Sequence, residues 1–387
     1  MVFSPSIFTI GVLGGGQLGK MMAMEAMRLD LNMKFLDPVI DAPVSGVCSQ
    51  FVLGDFYRKD DIISFAEGCK VLTIEREDIL LEALEDLERR GVNVYPQASI
   101  LRTVVDKLKQ KEYFLAAGYD SAPFFPVNGT ADINILLESS LIQFPFVQKK
   151  RQGGFDGRGV KIVRSEDDLQ DLLEGPCIVE AIAQIVTEIS VIVCRDALGR
   201  QVVYEPVSMD FHPEENMVEF LVCPADLPSD FALQAKAIAL SLSAKLEHVG
   251  LLAVEMFWNK DNSIWINEIA LRPHNSGHHT LDDGSVSQFE NHLRAICGLP
   301  LGSTEASGPS IMINLLGSEG HTGLAQYIGM DEVMIDPHVH IHLYGKTHTK
   351  PHRKMGHVTI TGTDLAAMKS KAHWVKQTLR VISSESS

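Results

Sequence analysis

The junction at residues 7–19, where the apolar run IFTIGVL meets GGGQLG, constrains this chain more than any other stretch. The run has the length and β-branched content of a buried strand, and the glycines after it permit a tight turn into a helix that continues to about Leu29. A second strand, MKFLD, ends at Asp37, and VLTIE at 71–75 reads as a later one. Strands alternating with helices predict an α/β unit, a doubly wound parallel sheet over residues 1–98. YPQAS marks its edge, with Pro96 following a strand.

From residue 99 to about 297 the pattern changes. A helix is expected over 100–117, and then come β-rich stretches: FPFVQKK, VKIV, CIVEAI, TEISVIVC and QVVYEPV. An Ala/Leu-rich helix at 229–247 precedes two more strands, GLLAVEMFW and SIWINEIA. Strands separated by glycine turns predict antiparallel sheets and an α+β body. Residues 298–387 follow as a small C-terminal domain. Its VHIHLYGK and HVTITG segments read as a hairpin, closed by a helix from Asp364 to about Val381.

The composition narrows the function. Fifty acids against 34 bases leave a formal charge of −16, so a polyanion such as DNA is an unfavourable partner, while local cation clusters can still hold small anions. No apolar run approaches the roughly 18 residues of a membrane span. The opening residues lack the basic segment of a signal peptide. Six scattered cysteines without a CxxC suit a reduced cytoplasmic enzyme.

Two glycine loops carry chemistry. Gly14, Gly16 and Gly19 satisfy G-x-G-x-x-G between strand and helix, and Asp37 stands where a dinucleotide fold places its ribose-binding acid. Taken alone, this predicts an NAD-dependent dehydrogenase, but backbone N–H groups at a helix start suit any phosphate. The second loop, KKRQGGFDGRGVK at 149–161, lies between two strands and is no Walker A loop, since no Lys-Ser/Thr pair and no helix follow. Its cations and four glycines suit a flap folding over a polyphosphate, with Lys149 as a point charge.

Two acids form the third element. A two-residue turn at Asp261-Asn262 would set Glu255 opposite Glu268 across a hairpin, with Cβ atoms roughly 5 Å apart. Like charges that close need a cation or a shared proton. Oxygen donors beside a phosphate site point to magnesium; a catalytic acid pair, as in a glycosidase, would leave the flap unused. Beyond Glu268 runs LRPHNSGHHT. The Asn-Ser-Gly between His274 and His278 is a poor helix after a proline, so a zinc pair is not expected, whereas Arg, His and Asn donors suit a planar oxyanion.

This combination resembles the ATP-grasp superfamily. Within it, GGGQLGKM, Gln110-Lys111, GGFDGRG, AVEMF, NEIALRPHNSGH, SQFENHLRAI, MINLLG and RKMGH run in order through most of the chain, as in the 5-(carboxyamino)imidazole ribonucleotide synthases, the ATPase subunits of phosphoribosylaminoimidazole carboxylase. The resemblance implies an ATP-grasp fold and a bicarbonate-dependent carboxylation of aminoimidazole ribonucleotide through carboxyphosphate, by a cytoplasmic homodimer. The nearest alternative within the superfamily is the formate-using glycinamide ribonucleotide transformylase.

The resemblance also assigns residues. Lys107, Lys149 and the flap Gly154, Phe155, Asp156, Gly157, Arg158, Gly159 and Val160 would hold ATP, with Glu180, Ala181, Ile182 and Ala183 at adenine, Glu188 at ribose, and His212, Asn267 and Glu268 nearby. Glu255 and Glu268 would bind magnesium, and Arg272, His274 and Asn275 would form the bicarbonate pocket. Gly16, Gln17, Leu18, Glu75, Arg158, Lys346, Arg353 and Lys354 would hold the ribonucleotide. Four positions depart from the family pattern. Lys107 replaces an Arg, Phe155 a Tyr, and Leu271 a Pro, the last expected to loosen the backbone, while Asp78 stands in TIERED where an Asn is usual. His338, His340 and His342 alternate with apolar residues as one polar strand face, and the Met21–Met27 run suits helix packing.

Overall fold

The structure, a computed structural model, describes residues 8–154, 159–211 and 218–384. Among these the strands form four sheets. The first is wholly parallel, in the order Gln50–Leu53, Asn32–Asp37, Thr9–Leu13, Val71–Ile74 and Asn93–Tyr95. The helix Gln17–Arg28 follows the glycine turn as the periodicity predicts. Both faces of this sheet are covered. Leu13, Leu36 and Ile74 share a core with Leu242, Val191 and Val254 of the body; Ile10, Val12 and Phe35 pack with Phe289, Leu293 and Tyr344 on the other side. Met21 and Met22 are buried there, whereas Met24 and Met27 are exposed, so only half of the methionine run packs.

A four-stranded antiparallel sheet, Phe124–Val127, Cys177–Ala181, Phe146–Lys150 and Val160–Val163, carries the second glycine loop at its edge. The largest sheet runs Ile264–Ala270, Gly250–Asn259, Ile185–Arg195, Val207–Phe211, Val218–Cys223, Ser310–Leu316, Lys354–Thr361 and Val339–Leu343. The tail's expected hairpin is present, with His342 opposite His357, but it extends the body's sheet through Val218–Cys223 and Ser310–Leu316.

Three local expectations change. The helix over 100–117 is two helices, Ala98–Val104 and Lys107–Ala116, because Asp106 turns its carboxylate to the Leu108 N–H (3.0 Å) and caps the second. The final helix is Leu365–Thr378; the β-branched residues beyond it form the strand Arg380–Ser383 against Gly323–Ile328.

The third change concerns the acid hairpin. Its turn is one residue longer than expected: Asn259 N–H donates to Ser263 O (2.9 Å), with Asn262 in the left-handed region (φ 67°). That alone would move Glu255 off Glu268. A bulge at Asn267, between the Glu255–Glu268 and Met256–Ile266 pairs, restores the register, so the acids do face each other. No helix among the described residues is long and apolar enough to cross a membrane.

Candidate active site

Three neighbouring strands put carboxylates on one face. Glu255 is paired with Ser190 on one side and Glu268 on the other; Glu188, two residues from Ser190, shares their face. Two of these acids meet basic side chains. Lys107, lifted to the first turn of its helix by the Asp106 cap, forms an ion pair with Glu268. His274 Nε2 lies 3.2 Å from Glu255. Burial pushes Glu268 upward, but Lys107, Lys149 and His274 outweigh it and hold this carboxyl below its usual range. Among the described residues Glu188 has no such partner, and burial together with the charges of Glu255 and Glu268 pushes it up to about 8.

This face fits a divalent cation. Its donors are hard oxygens, and Lys107 stands on Glu268 as a cation would. Among the described residues no group of three or more His, Cys, Asp or Glu could hold an ion, so two carboxylates would leave the remaining positions to phosphate oxygens and water, as magnesium prefers. The strain on Glu188 gives a measurable consequence. Between the ordinary glutamate value and about 8 the folded protein retains a proton that the unfolded chain has released, so stability falls as pH rises through that window. One proton gives a slope of at most about 1.4 kcal/mol per pH unit. Glu188→Gln is expected to flatten the slope in urea unfolding from pH 5 to 8 without magnesium, and a slope equal to the wild type's would remove Glu188 from the cluster.

Lys149 lies at the meeting of two sheets. Its Nζ donates to Asn267 Oδ1 (2.9 Å), in the bulge, and pairs with Glu180 Oε2 (2.7 Å). Lys111 takes the other oxygen of Glu180 (3.0 Å), and all three side chains are buried. Burial pushes Lys111 down to about 8, against the pull of Glu180. Sequence reasoning missed Lys111 as a site residue, although Gln110-Lys111 stood among the motifs. Gln110 Oε1 accepts the Ile269 N–H (3.1 Å) and locks this helix to the acid hairpin.

Ala181, Ile182 and Ala183 leave the strand end, where Ile182 is exposed. Gly154, Gly159 and Val160 close the base of the flap, with Gly159 at φ 75° and its carbonyl accepting from Lys150 N–H (2.8 Å). Arg151 Nη2 pairs with Asp106 (2.6 Å), tying the flap's start to the Lys107 helix. Phe155, Asp156, Gly157, Arg158 and His212 lie outside the described residues.

Beyond Glu268 the chain turns toward the parallel sheet. Arg272 Nε is 3.6 Å from Glu77, and Nη1 donates to Pro273 O (3.2 Å). His274 bonds through Nδ1 to Ser276 Oγ (2.8 Å), which meets Ser190 Oγ (2.8 Å); Asn275 begins the short helix Asn275–Leu281. His278 and His279 turn inward, the first against Phe289 and His357, the second to Ser276 O (3.0 Å), so they close the loop. His278 and His274 therefore face different partners. His340 and His342 converge on Asp282, at 3.8 and 2.8 Å.

Leu271 does not loosen the backbone as expected. Its N–H, which a proline would lack, donates to Glu77 Oε1 at 2.7 Å.

At the first glycine loop, Asp37 accepts from Gly15 N–H (2.8 Å) and Val39 N–H (2.9 Å). One oxygen holds the glycine loop and the other the turn after its own strand, so this carboxylate has a structural role in seating the loop. Glu75 Oε1 accepts from Leu18 N–H (3.3 Å), and a Cβ on Gly16 would lie 2.4 Å from that oxygen, so a side chain there would displace the carboxylate from this position. Burial pushes Glu75 up, against the Gly16 N–H and Arg272. Gln17 opens the helix. Lys20, also missed from sequence, donates to Leu343 O (3.2 Å) and brings the tail to this helix. In that tail Lys346 Nζ donates to Lys354 O (2.7 Å) and Arg353 Nη1 to His348 O (2.7 Å).

Three family models match this chain, and known proteins resemble it along most of its length. The ribonucleotide synthetase preATP-grasp domain matches residues 7–105, the ATP-grasp domain 113–289, and the phosphoribosylaminoimidazole carboxylase C-terminal domain 310–371. The N5-carboxyaminoimidazole ribonucleotide synthase of Bacillus subtilis is 35% identical over 355 residues, covering 90% of each chain; that of Synechococcus elongatus is 34% identical over 357 residues, 91% of this chain and 89% of its own. The Thermotoga maritima synthetase structure superposes with a TM-score of 0.89 at 35% identity, covering 97% of this chain and 99% of that one. The Aspergillus clavatus synthase, solved with ADP and 5-aminoimidazole ribonucleotide, gives 0.86 at 29% identity, covering 96% and 98%.

Proposed function

Because this chain belongs to the N5-carboxyaminoimidazole ribonucleotide synthase family, and is thus an ATP-dependent ligase that carboxylates 5-aminoimidazole ribonucleotide in purine biosynthesis, we propose that the cleft between Lys149 and Arg272 is where bicarbonate is phosphorylated. The observation that carries this reading is the order of charges along one hairpin. The facing pair Glu255–Glu268 lies at one end and Arg272 four residues beyond Glu268, with His274 reaching back to Glu255.

Lys149 and the flap would hold the phosphates of ATP, with the nucleoside against Glu180–Ala183 and Glu188. Magnesium, held by Glu255 and Glu268, would neutralise phosphate charge and fix the in-line orientation. Arg272 would present its guanidinium fork to bicarbonate, with His274 and Asn275 beside it. A bicarbonate oxygen attacks the γ-phosphorus, the bond to the β-phosphate oxygen breaks, and ADP and carboxyphosphate result. The exocyclic amine of the ribonucleotide then attacks the carboxyl carbon, inorganic phosphate leaves, and the nitrogen loses a proton. Glu75 and the N–H groups of Gly16–Leu18 would orient that ribonucleotide, with Arg158, Lys346, Arg353 and Lys354 at its phosphate. The family resemblance further implies a cytoplasmic homodimer.

The test is ADP release from the purified protein with magnesium, ATP and bicarbonate. Strong stimulation by aminoimidazole ribonucleotide is expected. Activity only with glycinamide ribonucleotide and formate would move the substrate assignment to the transformylase reaction.

A further inference from the structure

We infer that Glu77 is a positioning residue that seats Arg272 and ties the bicarbonate pocket to the ribonucleotide end of the cleft, an inference that rests on the placement of bicarbonate at Arg272.

Three observations meet at Glu77. Its Oε1 accepts the Leu271 N–H at 2.7 Å, and its Oε2 stands 3.6 Å from Arg272 Nε, so one carboxylate grips the backbone before Arg272 and the base of its guanidinium. The contact joins residues 194 positions apart, crossing from the parallel sheet to the acid hairpin. Glu75, two residues earlier on the same loop, holds the glycine turn at Leu18 N–H (3.3 Å). Arg76 points elsewhere, pairing with Asp78 and lying over the Phe56 ring at 4.4 Å. The loop thus alternates: Glu75 turns to the glycine turn and Glu77 to Arg272, while Arg76 between them pairs with Asp78.

The chemistry follows from that alternation. The ion pair runs along the Nε edge of Arg272, which steers the outer edge of the guanidinium toward an oxyanion without competing for it. Because Glu75 and Glu77 are two residues apart, a ribonucleotide that presses on Glu75 shifts Glu77 and, through it, Arg272. The Leu271 N–H makes this grip stronger than a proline at 271 would allow.

The experiment measures the Michaelis constant for bicarbonate, ATP affinity and the stimulation of ADP release by aminoimidazole ribonucleotide in Glu77→Ala, Glu77→Gln and Arg272→Ala. Glu77→Ala is expected to raise the bicarbonate constant about tenfold and to lose most of the stimulation, with ATP affinity within about twofold of wild type. Glu77→Gln keeps an acceptor for the Leu271 N–H but loses the charge, so an intermediate rise of about threefold is expected, and it serves if the alanine variant does not fold. Equal losses in every constant, or a bicarbonate constant unchanged in both Glu77 variants while Arg272→Ala is inactive, overturn the inference alone. Full activity in Arg272→Ala overturns the bicarbonate placement beneath it.

Discussion

Arg272→Ala is expected to lower bicarbonate-dependent ADP release by at least about a hundredfold while ATP affinity stays within about twofold. The magnitude follows from the loss of a preorganised donor aimed at developing charge, which costs about a hundredfold to a thousandfold in rate. ATP affinity is spared because Arg272 contacts Glu77 and Pro273, whereas Lys149 and the flap lie on the other sheet. Isothermal titration with ATP, alongside coupled ADP release, separates the two quantities. An unchanged turnover would take Arg272 out of the bicarbonate pocket.

The second large effect is on stability. Glu180 is shared by Lys111 and Lys149, at 3.0 and 2.7 Å, with all three side chains buried. Glu180→Ala would leave two buried ammonium groups without their carboxylate, and breaking a buried pair from one side costs about 3–5 kcal/mol. Burial already pushes Lys111 down to about 8, so one lysine can shed its proton and soften the loss at alkaline pH. The variant is therefore expected to be most damaged near neutrality and less so at pH 9, as read by urea unfolding. A loss under about 1 kcal/mol at pH 7 would show that the triad contributes little.

Much of the architecture was legible because it is written locally. The strand–glycine–helix junction specifies the first parallel unit through a run of apolar residues and a turn that only glycine serves well. The acid hairpin was legible for a less sound reason. The turn is a residue longer than counting suggests, and the bulge at Asn267 cancels the error. The bulge also directs Asn267 toward Lys149, so the irregularity lies at the site.

Other features could not be read so. Lys111 sits in KLKQKEYF among other lysines, and nothing in that spacing distinguishes it; Glu180, from a strand about 70 positions on, selects it. Asp106 breaks a continuous helical pattern because its carboxylate caps the next helix and holds Arg151 from the flap. Asp37 occupies the position of a ribose-binding acid yet holds the glycine loop through one oxygen and its own turn through the other, which only the folded turn reveals.

The amino-acid sequence by itself determined the main element types, though not the split at Asp106 or the closing strand Arg380–Ser383, together with the two glycine loops and the side chains able to carry phosphate, metal and oxyanion chemistry. These depend on periodicity, backbone permission and functional-group identity, all properties of a few neighbouring residues. Tertiary structure alone decided which charges neutralise which: Lys107 with Glu268, Lys111 and Lys149 with Glu180, Glu77 with Arg272. Coulomb energy depends on distance and burial, and both are set only when sheets far apart in the chain pack against one another.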